Sequence, residues 1–190
     1  MSIAHPLDHQ PHPGLEFATL GGGCFWCLEA VFEEVRGVLD VESGYSGGKV
    51  RQPSYRQVCS GDTGHAEVVR IEFDPAQISY RELLEIFFAI HDPTTIDRQG
   101  NDVGSQYRSV IYFHTDEQER TARTLIAEVQ AQIGRPVVTQ VAPAPEYFRA
   151  ETYHQEYFRH NGGQGYCQFV VEPKLTRFRA TFAAHRKPAT

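Results

Sequence analysis

The fold is decided by residues 16–35, EFATLGGGCFWCLEAVFEEV, in which a strand pattern and a helix pattern meet at a run of glycines. Residues 16–20 predict a short strand, which the glycines at 21–23 end. Beyond Cys24, apolar side chains recur at the spacing of one helix face, at Leu28, Val31, Phe32 and Val35. The stretch therefore predicts a strand that turns directly into a helix, with Cys24 at the N-terminus of that helix.

The chain continues this alternation of strands and helices as far as residue 142. Strands are predicted where β-branched and aromatic residues lie between turn formers, over residues 38–45, 66–73, 107–113 and 137–142. Helices are predicted to begin at two residues that stand three positions before Glu or Gln, Ser79 and Thr115. This order predicts a two-layer α+β fold, in which helices pack on a mixed sheet around a split-βαβ (ferredoxin-like) core with long loops and a C-terminal tail.

Length and composition indicate the domain organisation. A chain of 190 residues, 41% of them hydrophobic, is long enough to bury one core. Residues 1–14 hold three Pro and three His without periodicity, which predicts a disordered arm. Residues 15–190 are then expected to form a single domain whose C-terminal tail carries Cys167.

Charge and hydropathy argue against several classes of partner. The formal net charge is -6, which indicates no basic surface for phosphates, so nucleic acid is not an expected partner. No run approaches the roughly 18 apolar residues of a membrane span, and residues 1–14 lack the apolar stretch of a signal peptide. We expect a cytoplasmic protein without membrane contact, whose four cysteines are free thiols.

Cys24 is the candidate nucleophile. At a helix N-terminus, free N–H groups and the positive end of the helix dipole would stabilise its thiolate. A lone cysteine is more often a small buried hydrophobe, but the triple glycine and the helix that follows favour a reactive thiol here. Phe25 and Trp26 come next, and an aromatic pair beside a sulfur indicates an apolar pocket suited to a methyl group or a thioether.

Three further side chains are candidates for contact with a ligand. Glu67 shares a strand face with three apolar residues, so it is expected to point inward, where burial would keep its carboxyl protonated as a proton donor. A strand-end glutamate that reaches solvent or an arginine is an equal alternative. The long polar loop 91–107 is typical of a site and offers Asp102 and Tyr107, although a solvated loop would have the same composition.

The cysteine spacing suggests redox exchange more than metal binding. Cys24 and Cys27 form a C-x-x-C pair, which serves thiol-disulfide exchange. A zinc site would need a second ligand pair at similar spacing, but Cys59 and Cys167 are isolated in the sequence. No metal is therefore expected, and Cys59 is assigned to the core.

Five stretches of the chain resemble peptide methionine sulfoxide reductase A. They are GGGCFWCLEAVF at 21–32, GYSGG at 44–48, SYRQVCSGDTGHAEVVRIEFDP at 54–75, HDPTTIDRQGNDVGSQYRSVIYF at 91–113 and YHQEYFRHNGGQGYC at 153–167. The stretches are long and occur in the family's order. The resemblance implies a thiol-dependent oxidoreductase that reduces methionine S-sulfoxide, free or in proteins, and so repairs oxidised proteins.

The resemblance also implies catalytic roles for the matching residues. Cys24 would attack the sulfoxide sulfur, and Glu67 would deliver the proton that lets the oxygen leave. Tyr55 and Tyr107 would hydrogen-bond that oxygen, although nothing in the sequence pattern alone points to Tyr55.

Substrate binding and recycling follow from the same resemblance. Asp102 would orient the substrate, and its S-methyl group would lie against Phe25 and Trp26. The products would be methionine and a sulfenic acid on Cys24, which a second thiol converts to a disulfide for thioredoxin to reduce. The family needs no prosthetic group, because thioredoxin supplies the electrons.

Two cysteines compete for the role of resolving thiol. Cys27 stands where many family members have Gly, and the cysteine that some members carry beyond Cys167 is absent here. Three glycines just before Cys167 predict a loop that swings its thiol onto Cys24, whereas Cys27 would be held in a rigid helical turn. Cys167 is therefore the expected resolving thiol, with Cys27 as the alternative.

Two other functions are compatible with parts of the pattern. A general thiol-disulfide oxidoreductase would use Cys24 and Cys27 alone and leave Glu67 structural. A zinc-stabilised interaction module would be built from all four cysteines.

Overall fold

A computed structural model describes residues 10–189 of the chain. The strands are β1 (Glu16–Gly21), β2 (Val38–Ser46), β3 (Ala66–Phe73), β4 (Arg98–Gln99), β5 (Asp102–Val103), β6 (Val110–Phe113), β7 (Gln140–Pro143) and β8 (Tyr147–Arg149). The helices are α1 (Phe25–Phe32), α2 (Tyr55–Cys59), α3 (Tyr80–Ile90), α4 (Asp116–Ile133), α5 (Tyr157–Asn161) and α6 (Glu172–Thr181). A π-helical turn, Cys167–Val171, leads into α6.

Six strands form one mixed sheet in the order β7-β6-β1-β3-β2-β8. β6 and β7 run parallel, and the other neighbours are antiparallel. The inner order β6-β1-β3-β2, with α1 between β1 and β2 and α3 between β3 and β6, is that of the split-βαβ core. The predicted α+β fold with helices packed on a mixed sheet is therefore confirmed.

Local capping sets the helix starts. The Ser79 side chain accepts a hydrogen bond from the Glu82 N–H, while the Glu82 side chain accepts one from the Ser79 N–H, which completes a capping box at the start of α3. Thr115 accepts from the Gln118 N–H at the start of α4. Both predicted helix starts are confirmed.

The predicted strand boundaries differ in two places. The strand expected from residue 107 begins at Val110, because residues 105–107 form a 3-10 turn. The strand expected from residue 137 begins at Gln140, where pairing with β6 begins. These shifts leave Tyr107 in a turn at the end of the 91–107 loop.

Helix α1 is buried almost all round. It packs on β2 and β3 on one side, while α5 and α6 cover it on the other. The four residues of its predicted apolar face are fully buried, as expected. The surrounding core consists of aliphatic and aromatic side chains together with Cys24, Cys27 and Cys167, and the single methionine of the chain is Met1.

The N-terminal segment was expected to be a disordered arm, and residues 1–9 of it lie outside the described residues. Within the described part, His12 contacts the far end of β3. Its backbone N–H donates to Glu72 Oε1 at 2.7 Å, and its Nδ1 lies 2.8 Å from the same oxygen. Among residues 10–189, no helix has the length and apolar character needed to cross a membrane.

Candidate active site

A glycine turn places Cys24 at the N-terminus of α1. Gly23 has φ +91°, a left-handed conformation that favours glycine. A Cβ atom there would lie 2.7 Å from Cγ of Gln99, so the 91–107 loop also packs directly on this turn. Gln99 is itself fixed by two hydrogen bonds to the backbone of Asp92. The turn ends at Cys24, the N-cap residue of α1.

Cys24 is 7% exposed, and burial raises the pKa of its thiol well above the usual value. The hydrogen bond to Cys27 and the charge of Glu67 raise the pKa further, while the Trp26 N–H lowers it. The helix terminus favours the thiolate through the Trp26 N–H, as expected, but desolvation has the larger effect. Cys24 rests as a thiol.

Glu67 points into the protein, as its strand face predicts. The side chain is 1% exposed, and its Oε2 accepts the Phe25 N–H at 3.1 Å. Burial raises the pKa of the carboxyl to about 8, although the Phe25 N–H opposes this shift. At neutral pH the group is mostly a neutral acid, held next to the residue that follows Cys24. The alternative of a solvent-exposed or arginine-paired glutamate is excluded.

Tyr55 and Tyr107 are both half-buried near Glu67. Burial raises the pKa of both hydroxyls, and the charge of Glu67 raises it further in each case. Tyr55 is the first residue of α2, and its backbone N–H donates to Glu151 Oε2 at 3.0 Å. Two protonated phenols from α2 and from the end of the 91–107 loop thus lie close to one carboxylic acid.

Phe25 and Trp26 form an aromatic cluster with the C-terminal part of the chain. Their ring centroids are 6.3 Å apart, and Phe25 is fully buried. The Trp26 Nε1 donates to His154 Nδ1 at 3.1 Å, and its indole stacks on Tyr157 with centroids 3.6 Å apart and planes 4° apart. Tyr166 meets the same indole edge-on at 5.7 Å. Trp26 is therefore held on three sides.

Asp102, in the β4-β5 hairpin of the 91–107 loop, faces the same cluster. Its Oδ2 accepts the hydroxyl hydrogen of Tyr166 at 2.6 Å. Its charge also raises the pKa of Glu67. The loop predicted to belong to a site thus contributes both Asp102 and Tyr107 to it.

All four cysteines are free, and three of them are buried. The Cys24 thiol lowers the pKa of Cys27, and Cys27 raises the pKa of Cys24, so the two thiols act on each other. Burial raises the pKa of Cys167, and the charge of Cys27 raises it further. Cys59 is exposed beside Tyr55, so its assignment to the core is wrong: it ends a five-residue helix on the surface.

The loop expected around Cys167 is also wrong. Only residues 162–164 are non-helical there, and the backbone is helical from Gly165 into α6. Cys167 itself is 0% exposed in the π-helical turn. Within residues 10–189, no group of three or more His, Cys, Asp or Glu side chains could hold a metal ion.

Three residues of the site were missed by sequence reasoning, namely His154, Tyr157 and Tyr166. They lie in the stretch YHQEYFRHNGGQGYC, for which only Cys167 was given a role. Alternating aromatic and polar residues in a segment without a clear helix or strand period were the available signal. The partner that explains them, Trp26, lies more than 120 residues earlier in the chain.

Comparison with known proteins gives one consistent result. The sequence model of the peptide methionine sulfoxide reductase family matches residues 16–186. A curated relative from Polynucleobacter asymbioticus, peptide methionine sulfoxide reductase MsrA, is 58% identical over 172 residues, which cover 90% of each chain.

Solved structures agree with the sequence comparison. Mxr1 from Saccharomyces cerevisiae in reduced form is 34% identical with a TM-score of 0.77, over 83% of this chain and 92% of Mxr1. Methionine sulfoxide reductase A of Corynebacterium diphtheriae is 36% identical with a TM-score of 0.76, over 88% of this chain and 89% of its own.

Proposed function

Because this chain belongs to the peptide methionine sulfoxide reductase family, we propose that it reduces methionine S-sulfoxide, free or in proteins, and so repairs oxidised proteins. One observation carries the proposal: the buried Glu67 carboxyl accepts a hydrogen bond from the residue that follows the buried Cys24 thiol. A soft nucleophile and a neutral acid at one place are what sulfoxide reduction requires.

The first step transfers oxygen from the substrate to Cys24. The Cys24 sulfur attacks the sulfoxide sulfur, and Glu67 protonates the departing oxygen, which is otherwise a poor leaving group. As the substrate S–O bond breaks, this oxygen bonds to the Cys24 sulfur as a sulfenic acid, and the bond between the two sulfur atoms breaks as methionine leaves. The proton that the Cys24 thiol loses restores Glu67. Sulfur is thus reduced in the substrate and oxidised in the enzyme, with no other reactant.

Five further residues bind the substrate in this proposal. Tyr55 and Tyr107, both protonated because burial raises their pKa, donate hydrogen bonds to the sulfoxide oxygen. Phe25 and Trp26 receive the S-methyl group, and Asp102 orients the rest of the substrate. The Tyr166 hydroxyl, which donates to Oδ2 of Asp102, holds that carboxylate in place.

The pocket should select one epimer at sulfur. When the methyl group lies against Phe25 and Trp26 and the oxygen faces Glu67, two of the three substituents of the chiral sulfur are fixed. We expect turnover of the S epimer only, measured by following methionine release from each separated epimer with dithiothreitol as reductant. Equal rates on both epimers would refute the pocket assignment.

Insulin reduction without any sulfoxide turnover would instead indicate a general thiol-disulfide oxidoreductase.

The sulfenic acid on Cys24 is resolved by a second thiol, for which Cys167 and Cys27 are the candidates. The mutual effect of the Cys24 and Cys27 thiols on their pKa values supports Cys27 as the first partner. Cys24 is the N-cap residue of α1 and Cys27 its third residue, and the Cys27 N–H donates to the Cys24 carbonyl at 3.1 Å. Cys167, buried next to Cys27, then takes over the disulfide by exchange.

Disulfide mapping distinguishes the two orders. With excess sulfoxide and no reductant, we expect Cys167→Ser to form a Cys24–Cys27 disulfide at the rate of the unmodified protein. Cys27→Ser should accumulate the Cys24 sulfenic acid, trapped by dimedone and detected by mass spectrometry. Cys59→Ser is the control, because it makes the same substitution at the exposed cysteine, away from the three buried thiols. A Cys24–Cys167 bond that forms first in the unmodified protein contradicts this order.

Recycling needs an external dithiol, because the chain holds no further electron donor in the proposed reaction. We propose thioredoxin in this role and a cytoplasmic location, where four cysteines remain reduced. Steady-state turnover with thioredoxin, thioredoxin reductase and NADPH tests this. Turnover with dithiothreitol but none with the thioredoxin system would count against thioredoxin as the partner.

A further inference from the structure

Glu29 is a buried carboxylate that takes no part in the proposed reaction. It lies on α1, five residues after Cys24, and is 1% exposed. Its Oε1 accepts the Glu156 N–H at 3.0 Å, and its Oε2 accepts the Tyr157 N–H at 3.2 Å. One carboxylate therefore joins the helix of the nucleophile to two consecutive backbone groups at the start of α5.

The backbone at this contact is strained. Glu156 has φ +51° and ψ +35°, a left-handed conformation that non-glycine residues rarely adopt. This conformation turns two consecutive N–H groups toward the same side, where Glu29 accepts both. Both bonds offset the strain at Glu156, and they oppose the effect of burial, which raises the pKa of the Glu29 carboxyl to about 7.

The two residues that flank this turn are those that hold Trp26. His154, just before it, accepts the indole N–H at 3.1 Å. Tyr157, just after it, stacks on the indole face with centroids 3.6 Å apart. Because Glu29 fixes the backbone between them, the position of both side chains around Trp26 depends on Glu29.

We propose that Glu29 is a positioning residue for sulfoxide reduction: it holds His154 and Tyr157 against Trp26, so that the indole is fixed as the wall for the substrate methyl group. The proposal rests on the proposed function, since it gives Trp26 that role. Glu29 acts without touching the substrate, so its loss should affect substrate binding more than the chemical step.

The test uses Trp26 as its own reporter, because it is the single tryptophan of the chain. In Glu29→Gln, an amide nitrogen replaces one carboxylate oxygen. It cannot accept a hydrogen bond from a backbone N–H, so one of the two hydrogen bonds is lost. We expect the emission of Trp26 to shift to longer wavelength and to become more accessible to acrylamide. KM for the S epimer should rise about tenfold, the loss expected when one buried backbone N–H is left without its acceptor, while kcat changes little.

A double-mutant cycle with Tyr157→Ala tests whether Glu29 acts through Trp26. Tyr157→Ala removes the stacked ring without touching Glu29, and the double variant should lose no more affinity than the worse single variant. The matched control is Glu33→Gln, which removes a carboxylate 3.9 Å from Arg159 between the same two segments but leaves both bonds of Glu29 intact. Its emission and KM should equal those of the unmodified protein.

The outcomes separate this inference from the proposed function. Unchanged emission and KM in Glu29→Gln, or additive effects in the double variant, would overturn the role of Glu29. If Glu29→Gln fails to fold, hydrogen exchange in the unmodified protein decides: the amides of Glu156 and Tyr157 should be protected, and fast exchange would overturn the proposal. A protein that reduces no sulfoxide at all would refute the proposed function, while the emission and exchange results would still report on the contact.

Discussion

Replacing Cys24 with serine should abolish turnover, with a loss of at least about 10³-fold in kcat/KM, as expected when a covalent nucleophile is removed. Serine has nearly the same size, but its hydroxyl is a far weaker nucleophile toward sulfur at neutral pH. The measurement is single-turnover release of methionine from excess enzyme, which does not depend on recycling. Cys59→Ser, the same change at the exposed cysteine, should stay close to the unmodified protein. Activity of Cys24→Ser near that of the unmodified protein would show that another residue is the nucleophile.

Replacing Glu67 with glutamine should slow the same single-turnover step by about 10²-fold or more, the usual contribution of a general acid. Glutamine keeps the size and still offers an oxygen to the Phe25 N–H, so the fold around the site should survive. An unchanged rate would make Glu67 structural. Thermal unfolding of both proteins checks that any loss is chemical.

The pH dependence gives a second test of Glu67. Its pKa is about 8, so the protonated acid is present below that value and is lost as the pH rises through it. The rate of the unmodified protein should therefore fall above about pH 8, and that fall should be absent in Glu67→Gln. The opposite slope, a rate that rises with pH through this range, would indicate that ionisation of Cys24 limits the step.

The free energy of unfolding depends on pH in the same direction as the rate. The pKa of Glu67 is higher in the folded state than its usual 4.5, so the folded state binds this proton more tightly. The contribution of Glu67 to the free energy of unfolding is complete below pH 4.5 and is lost as the pH rises toward 8. The difference in unfolding free energy between the unmodified protein and Glu67→Gln should fall across this interval.

Features encoded within a few residues were predictable from the sequence. The capping pairs at Ser79 and Thr115, the glycine turn before Cys24 and the strand face of Glu67 are each a local signal. Helix α2 carries the same kind of signal, because Ser54 and Gln57 form a full capping box, but five residues give no periodicity to support it. β8 has three residues and forms only by pairing with β2.

Features created by distant contacts were not predictable. The pKa of the Cys24 thiol depends on burial in a core that includes residues of the C-terminal segment, whereas the helix dipole is a property of the local turn. The same segment decides the surroundings of Trp26 and Cys167. No sequence pattern predicts the left-handed conformation of Glu156, because glutamate rarely adopts it.

The core formed within residues 10–189 contains no methionine, because the single methionine of the chain, Met1, lies outside the described residues. Its tightly filled positions are taken by Phe, Leu, Ile and Val, whose side chains have no sulfur to oxidise. Conversion of a thioether to a sulfoxide places a polar group in an apolar environment and disrupts a core. The oxidants that create the proposed substrate in other proteins therefore cannot damage the described core by converting a methionine there to its sulfoxide.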